Sequence, residues 1–298
     1  MADKILKPYK TPGPGVFNLR TGALHARDEV LIVAGLARLD AENTAHSIVM
    51  RWSGALPWHG IALNWSSGSC CALAQPQRAF GMLGIDGEFA FVQGDALSEH
   101  DIDEDSMSAI AAVGRTMYAV GAVGRVLRSE DGRSWQRLTR AEDVNDDLLE
   151  AVAAYTPDEI YAVGAEGAIV LLRPTTAERI DSPTNLVLSA VCRGPDDLVY
   201  ACGQRGLILC GREHEWKVVE QDQTTEDFWD ICTFQERIFL TSTHFLYELK
   251  DSTLETVTFE DYTPHTFCKL ATAADDVMLS VGQADAFLFD GRDPIRLI

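Results

Sequence analysis

One short phrase, written several times along the chain, constrains its fold more than any other feature. The phrase is an apolar strand, a Gly-x-x-Gly turn and a second apolar strand, and it occupies residues 118–127, 161–170 and 200–209. Gly84 and Gly87 reproduce the turn in a more diverged copy. The copies recur at intervals of about 40 residues, a period typical of solenoids, propellers and helical arrays. Such units cannot bury their own apolar faces, so we expect them to stack into one body.

The strand content of each unit predicts a β-propeller. The apolar runs are short, are bounded by Gly, Pro and Asp, and are often β-branched or aromatic, which favours strands over helices. Four strands in about 40 residues match one propeller blade. We therefore predict an all-β fold, a single seven-bladed β-propeller with four antiparallel strands per blade. Six blades are the alternative if residues 1–63 fold otherwise.

The predicted blades form one domain that spans residues 1–298. Prolines and glycines between residues 8 and 15 interrupt the chain too heavily for a helix or an inner strand, so this segment is read as a lead-in. Trp52, Trp58 and Trp65 fall in the diverged first unit, where packing between blades is favoured over exposure as interface anchors. The approximate blade bounds are 16–63, 64–103, 104–145, 146–183, 184–224, 225–262 and 263–298.

Residues 129–135 carry a recognisable turn motif, Ser-Glu-Asp-Gly-Arg-Ser-Trp. It resembles the Asp-box of sialidase-type (BNR) repeats, Ser-x-Asp-x-Gly-x-Thr-Trp, but is one residue shorter and has serine in place of threonine. With the Tyr-Ala-Val-Gly-x-x-Gly strands, residues 79–219 are similar to BNR-like propellers related to photosystem II assembly factors. The resemblance implies a structural motif in which Asp131 caps backbone N–H groups, Gly132 adopts a positive φ and Trp135 packs between blades.

Composition is that of a soluble globular protein, with 46% hydrophobic and 23% charged residues. There is no run of about 18 apolar residues to span a membrane, and the first eight residues lack the apolar core of a secretory signal. A cytoplasmic location is therefore the expectation. The seven cysteines are an odd number and stand mostly within apolar strand-like runs, which predicts reduced thiols rather than a disulfide framework.

Charge narrows the class of partner. The chain has 25 basic and 45 acidic residues, a formal net charge of −20. Such a field repels phosphate backbones and anionic lipid surfaces, and it accelerates the encounter with a cationic partner. We expect a basic protein partner, no nucleic acid, no membrane contact, and a chain that is monomeric by itself.

Many carboxylates fall in or near the predicted connections between blades. In a propeller these connections share one face with the turns between second and third strands, and each leads the chain into an innermost strand. We therefore predict that the carboxylates surround the mouth of the central channel and bind the partner, with a merely solvated rim as the open alternative. The predicted partner-binding residues are Glu99, Asp101, Asp103, Glu104, Asp105, Glu142, Asp143, Asp146, Asp147, Asp222, Glu226, Asp227, Glu260 and Asp261.

The sequence gives only weak signals for a metal site or a catalytic site. Asp101, Asp103 and Asp105 open with the spacing of a calcium loop, but Ser106 replaces its glycine and Ala112 its final glutamate. Histidines and cysteines lack zinc-site spacing, there is no Gly-x-Ser-x-Gly nucleophile elbow, and a sialidase arginine cluster cannot be assembled. The prediction is therefore no catalytic residue, no metal and no cofactor.

The leading functional hypothesis is a non-catalytic propeller that binds a protein through an acidic face. One step further, it is a bacterial immunity protein that blocks a basic toxin domain such as a nuclease, since steering by charge speeds capture. A glycan-binding or glycan-hydrolysing sialidase-like propeller is one alternative, and it would need an aromatic and arginine-lined channel mouth. An assembly or scaffold factor for a larger complex, which the resemblance implies, is the other.

Overall fold

The fold is the predicted ring of seven blades with four antiparallel strands each, and it excludes the six-bladed alternative. The computed structural model describes residues 4–10, 15–74, 77–102, 104, 106–139, 144, 147–174, 176–260, 263–273 and 276–298. Within each blade the chain runs from the innermost strand outwards through four neighbouring antiparallel strands, and these four strands come from one continuous stretch of sequence.

The blades follow one another in chain order around the ring. From the innermost strand outwards, blade 1 consists of β3 (Phe17–Ala26), β4 (Glu29–Leu36), β5 (Ser47–Trp52) and β6 (Trp58–Leu63), and blade 2 consists of β7 (Ser67–Leu73), β8 (Ala79–Gly84), β9 (Glu88–Gln93) and β10 (Ala96–Asp101). Blade 3 consists of β11 (Met107–Val113), β12 (Thr116–Gly121), β13 (Val126–Ser129) and β14 (Gln136–Arg137), and blade 4 consists of β15 (Leu149–Thr156), β16 (Glu159–Gly164), β17 (Ile169–Arg173) and β18 (Thr176–Ile180). Blade 5 consists of β19 (Leu188–Arg193), β20 (Val199–Gly203), β21 (Ile208–Arg212) and β22 (Glu215–Val218), blade 6 of β23 (Asp230–Phe234), β24 (Arg237–Thr241), β25 (Leu246–Lys250) and β26 (Thr253–Thr256), and blade 7 of β27 (Lys269–Ala273), β28 (Val277–Val281), β29 (Ala286–Phe289) and β30 (Pro294–Arg296).

The hydrophobic core lies between blades rather than within them. Every residue of β8, β12 and β16 is buried, because each of these second strands is covered on both sides by neighbouring blades. Phe80 and Met82 of blade 2, for example, pack in one cluster with Leu31 and Val33 of blade 1. A strand covered on both faces reads as a continuous apolar run, which is why alternation is weak in this sequence.

The ring closes between blades 1 and 7 by side-chain packing and close backbone approach. Val30 and Ile32 of β4 share a cluster with Val277 and Leu279 of β28. Gly22 of β3 lies so near this blade that a Cβ atom there would come within 2.9 Å of Leu279. Any larger residue at position 22 would therefore push the first and last blades apart.

The start of the chain forms a strap that the lead-in prediction missed. Two short strands, β1 (Lys4–Ile5) and β2 (Lys7–Tyr9), add a fifth, outermost strand to blades 2 and 1 respectively. Pro8 is tolerated because it stands on an edge strand, where one side of the backbone needs no donor. Leu6, between the two strands, is buried in the cluster that joins these blades. The strap thus links two blades from outside.

Among the described residues, helical structure is confined to loops between strands. The connection from β4 to β5 contains α1 (Ala37–Ala41), and two short segments with 3₁₀-type hydrogen bonding, Ala165–Gly167 and Gln204–Gly206, have non-helical backbone angles at Glu166 and Arg205. Among the described residues, no helix combines the length and the hydrophobicity that crossing a bilayer requires.

The repeated Gly-x-x-Gly phrase forms tight hairpin turns, as predicted. Glu166 and Gly167 have φ values of 51° and 67°, and Arg205 and Gly206 have 57° and 72°. Two successive positive φ values define a type I′ turn, whose twist matches that of the flanking strands. The N–H of Ala168 closes the first of these turns on the carbonyl of Ala165, at 2.9 Å.

The Asp-box residues adopt the predicted roles. The Asp131 carboxylate accepts hydrogen bonds from the backbone N–H groups of Arg133 and Ser134, at 2.8 and 2.7 Å, and Gly132 has a φ of 68°. Trp135 packs edge-on against Phe89 of blade 2, with ring centroids 5.4 Å apart. The motif therefore fixes the third-to-fourth-strand turn of blade 3 and seals it against blade 2.

Replacing Leu6 should destabilise the whole ring although it stands near the end of the chain. We expect Leu6→Ala to lower the free energy of unfolding by about 2 kcal/mol or more, because a buried leucine loses both its burial and its packing. Ile5→Ala is the matched control: Ile5 is 54% exposed against 2% for Leu6, so its loss should cost about 0.5 kcal/mol or less. Urea unfolding followed by tryptophan fluorescence measures both. Equal effects of the two variants would show that the strap does not stabilise the ring.

Asp131 should make stability depend on pH in a defined direction. The backbone N–H groups of Ser134 and Arg133 lower the pKa of Asp131 in the folded chain. The stability that the carboxylate contributes is therefore present above the ordinary aspartate pKa of about 3.9 and is lost as the pH falls through the lowered value. Asp131→Asn should be less stable than the wild type at pH 7, and urea titrations should show the gap narrowing towards pH 3. A gap that stays constant over this range would contradict the assignment.

Candidate partner-binding face

Antiparallel blades divide the loops between two ends of the ring. The turns between second and third strands lie at the same end as the connections between blades, and we call this end the connection face. The other turns, between first and second and between third and fourth strands, form the opposite face. Backbone hydrogen bonds join the loops of the connection face: the N–H of Ala122 donates to the carbonyl of Ser106, and the N–H of Ala165 to that of Leu148, at 2.9 and 2.8 Å.

Two predicted residues, Glu99 and Asp101, belong to the outermost strand β10 and not to a connection. Glu99 pairs with Lys4 of the strap and accepts the indole N–H of Trp65 at 2.9 Å. Partial burial opposes ionisation of Glu99, but the Lys4 and Trp65 hydrogen bonds outweigh it and lower the pKa. Glu99 is thus engaged in holding the strap, while Asp101 is exposed.

Two more of the predicted carboxylates are already neutralised within the chain. Glu104 lies 2.7 Å from the Nε atom of Arg125, and Asp147 lies at the same distance from Nε of Arg179. Asp147 is buried. Because these arginines compensate their charge, Glu104 and Asp147 anchor the connections and offer little to a partner.

Apart from Asp101, the described carboxylates of the predicted set that are exposed lie in the connections that enter blades 6 and 7. Asp222, Glu226 and Asp227 belong to the first of these connections and Glu260 to the second. Asp227 accepts the backbone N–H of Arg205 at 2.8 Å, which ties the connection to a neighbouring turn. The remaining predicted residues lie outside the described residues, and so does most of the calcium-like spacing: Asp103, Asp105, Glu142, Asp143, Asp146 and Asp261.

Negative charge does not distinguish the two faces. The connection face also carries Asp86, Glu166 and Asp181, none of which the sequence singled out. The opposite face has its own exposed carboxylates, such as Asp158 and Glu236. The net charge therefore favours a cationic partner, but it does not determine which end of the ring that partner binds.

Uncharged residues stand at the immediate mouth of the channel. The residues that directly precede the seven innermost strands include no carboxylate and no arginine, so the carboxylates occupy other positions of the connections. An aromatic and arginine-lined mouth, as a glycan site would need, is not present at these positions. The seven residues are Val16, Ser66, Ser106, Leu148, Val187, Trp229 and Cys268.

Inside the mouth, all seven innermost strands line a cavity of about 200 Å³. Its charged residues are Glu150, Asp230 and Lys269, which the sequence did not single out. Asp230 accepts the backbone N–H groups of Ile231 and Leu270, both at 2.9 Å. Burial raises the pKa of Asp230, and the nearby Lys269 ammonium opposes the increase. Which residues of an inner strand face the channel depends on strand register, which the sequence alone does not reveal.

Tryptophan placement is partly as predicted. Trp58 and Trp65 are buried, and Trp52 packs against Trp58 with ring centroids 5.3 Å apart. Trp229, which the sequence did not single out as an anchor, is instead 42% exposed at the channel mouth. The position of Trp229 directly after the acidic connection into blade 6 could have indicated its exposure from the sequence.

The cysteines form no disulfide bonds. All seven cysteines are free, and burial raises the pKa of Cys70 to about 12. In the part of the chain that the structure describes, no three histidine, cysteine or carboxylate side chains are grouped so that they could hold a metal ion.

Comparisons with solved structures show the fold. YCF48 bound to D1 peptide has a TM-score of 0.70 at 17% identity, covering 95% of this chain and 94% of its own. The WD40 β-propeller domain of Doa1 has a TM-score of 0.74 at 13% identity, covering 97% of each chain. Virginiamycin B lyase from Staphylococcus aureus has a TM-score of 0.64 at 10% identity, covering 76% of this chain and 83% of its own. No family model matches, so these neighbours support a seven-bladed propeller but not membership of the BNR-like family.

A curated relative shows more than the fold. The Immune protein Tsi7 of Pseudomonas aeruginosa is 30% identical over 300 residues, and the match covers 95% of this chain and 97% of the relative. Agreement of this extent includes the diverged first blade and the irregular connections as well as the repeated phrase. The chain therefore belongs to the family of the Immune protein Tsi7.

Proposed function

We propose that this protein is an immunity protein that binds a toxin and neutralises it by occupying its surface. The observation that carries the proposal is the 30% identity to the Immune protein Tsi7 over nearly the whole of both chains. The fold suits the role, because backbone hydrogen bonds such as those from Ala122 to Ser106 and from Ala165 to Leu148 hold described loops in place, and a preorganised surface loses little freedom on binding.

The proposed toxin has a basic domain, for example a nuclease. An enzyme that acts on nucleic acid needs a cationic groove for the phosphate backbone. A chain with a net charge of −20 is attracted to such a groove, and exposed carboxylates can take the place of phosphates within it. Of the predicted residues, Asp222, Glu226, Asp227 and Glu260 are the described ones that are exposed in connections, and we assign them to this contact.

Neutralisation by occupancy requires no reaction, and we propose that the protein is not an enzyme. The fold alone does not decide the matter, because virginiamycin B lyase is among the structural neighbours. The family supports the proposal.

We further propose that the protein acts as a cytoplasmic monomer. Seven free cysteines suit a reducing compartment, where thiols remain reduced. A large charge of one sign also disfavours self-association, because two copies repel each other.

Reversing three exposed charges should slow toxin capture. We expect the variant Asp222→Lys, Glu226→Lys, Glu260→Lys to lower the association rate constant about tenfold at low ionic strength, because steering depends on the local field at the docking surface. Stopped-flow association with an inactive form of the cognate toxin domain, to be sought among the products of neighbouring genes, measures the rate. The difference should vanish near 1 M salt, where the screening length is only about 3 Å.

The matched control carries the same change in net charge on the opposite face: Asp158→Lys, Glu236→Lys, Asp276→Lys. It should retain most of the wild-type rate. Equal slowing by both variants would mean that only total charge matters, and faster capture by either would mean an acidic partner. A neighbouring gene product that does not bind the wild-type protein would contradict the proposed function itself.

A further inference from the structure

Exposed apolar side chains discriminate between the two faces where charge does not. Among the described residues, the opposite face exposes one large apolar side chain, Leu56, and the outer strands expose Ile5 and Ile295. Contiguous exposed apolar surface on a soluble protein often marks a protein-binding site. The connection face exposes Val16, Ile85, Val123, Leu148, Trp229 and Phe245.

Two of these side chains, Trp229 and Phe245, lie on blade 6. The indole N–H of Trp229 donates to the hydroxyl of Thr243 at 2.9 Å, and the backbone N–H of Trp229 donates to the carbonyl of Thr241 at 2.8 Å. Phe245 ends the turn that contains Thr243, and its ring lies 5.8 Å from that of Tyr247. Both aromatic rings are therefore held in place before any partner arrives, while about two fifths of each side chain remains exposed.

Three others lie along an arc across blades 2 to 4. Ile85 accepts the N–H of Met107 through its carbonyl, at 2.9 Å, which joins the blade 2 turn to the start of β11. Gly124, next to Val123, donates its N–H to the carbonyl of Asp147 at 2.7 Å, and Asp147 precedes Leu148. Each bond joins a turn of one blade to the connection that enters the next, so the three exposed side chains are carried by loops that are held to neighbouring blades.

The backbone of Val123 is held in a strained conformation that destabilises the folded chain. Its φ is 59°, and a β-branched residue with a positive φ is a strained outlier. The equivalent positions of blades 4 and 5 carry the unbranched Glu166 and Arg205. Because the Val123 side chain is 41% exposed, little burial offsets this strain within the chain itself.

We propose, building on the proposed function, that these six side chains are the anchors through which the connection face binds the toxin. The toxin surface that fits them has apolar pockets surrounded by cations. Carboxylates adjoin the anchors in the chain: Asp86 follows Ile85, and Asp227 lies two residues before Trp229. An apolar centre with a charged rim is the usual anatomy of a protein interface. Charge thus attracts the toxin to either face, and the anchors determine that it docks on this one.

Trp229→Ala is the direct test. Tryptophan anchors held in place before binding are typical hot spots, so the dissociation constant for the inactive toxin domain should rise at least about 30-fold. The change should appear mainly in the dissociation rate, since the charge of the chain is unaltered. Leu56→Ala and Ile295→Ala are matched controls that remove an exposed apolar side chain elsewhere, and each should bind within about twofold of the wild type.

Val123→Asn separates binding from folding. Asparagine tolerates positive φ, so this variant should melt at the same temperature as the wild type or higher. It should nevertheless bind the toxin domain about fivefold more weakly, because an apolar anchor is replaced by a polar amide. A variant that gains stability and loses affinity cannot be explained by partial unfolding.

The outcomes separate the two proposals. If the wild type does not bind the toxin domain, the proposed function is wrong. If the wild type binds, and Trp229→Ala and Val123→Asn bind equally well, the anchor assignment is wrong while the immunity role stands. Loss of affinity in Leu56→Ala alone would place the toxin on the opposite face.

Discussion

The packing of each blade against the next is the interaction on which the rest of this structure depends. A four-stranded blade has two apolar faces, and Phe80 and Met82 of blade 2 can be buried only because Leu31 and Val33 of blade 1 cover them. No blade can satisfy this requirement alone, so the chain must form a closed ring. Closure between blades 1 and 7 needs the close approach at Gly22, and the strap around Leu6 ties blades 1 and 2 from outside.

A ring of this kind divides the molecule into a rigid body and two sets of loops. The carboxylates of the loops fall into two groups, those paired with a basic side chain of the same chain and those exposed to solvent. Glu99, Glu104 and Asp147 are paired with Lys4, Arg125 and Arg179 and stabilise the loops themselves. Carboxylates that are exposed in the connections, such as Glu226, remain for a partner. A count of acidic residues along the sequence therefore overestimates the charge that is available for binding.

Charge and apolar contact have different roles in the proposed capture. Electrostatic attraction acts over about 10 Å at moderate salt and raises the rate of encounter. Contact between apolar side chains acts only after docking, and it determines how long the complex persists. Because both faces of this protein are acidic, attraction alone would not orient the toxin. In the proposed complex, contacts at the strained Val123 and the exposed Trp229 provide the orientation that charge lacks.

The repeat in the sequence by itself determined the all-β class and the four-stranded blade, and local motifs determined the turns at Gly167 and Asp131. The repeat favoured seven blades but left six open, and the structure decided between them. Strands and turns depend on residues that are close together in the sequence, so they can be predicted without knowledge of tertiary contacts. Only the tertiary structure decided that the first residues form a strap, that Asp230 faces the channel and that Trp229 rather than Trp58 is exposed. Each of these depends on strand register or on contacts between different blades, and the same pattern of residue types is compatible with several such pairings.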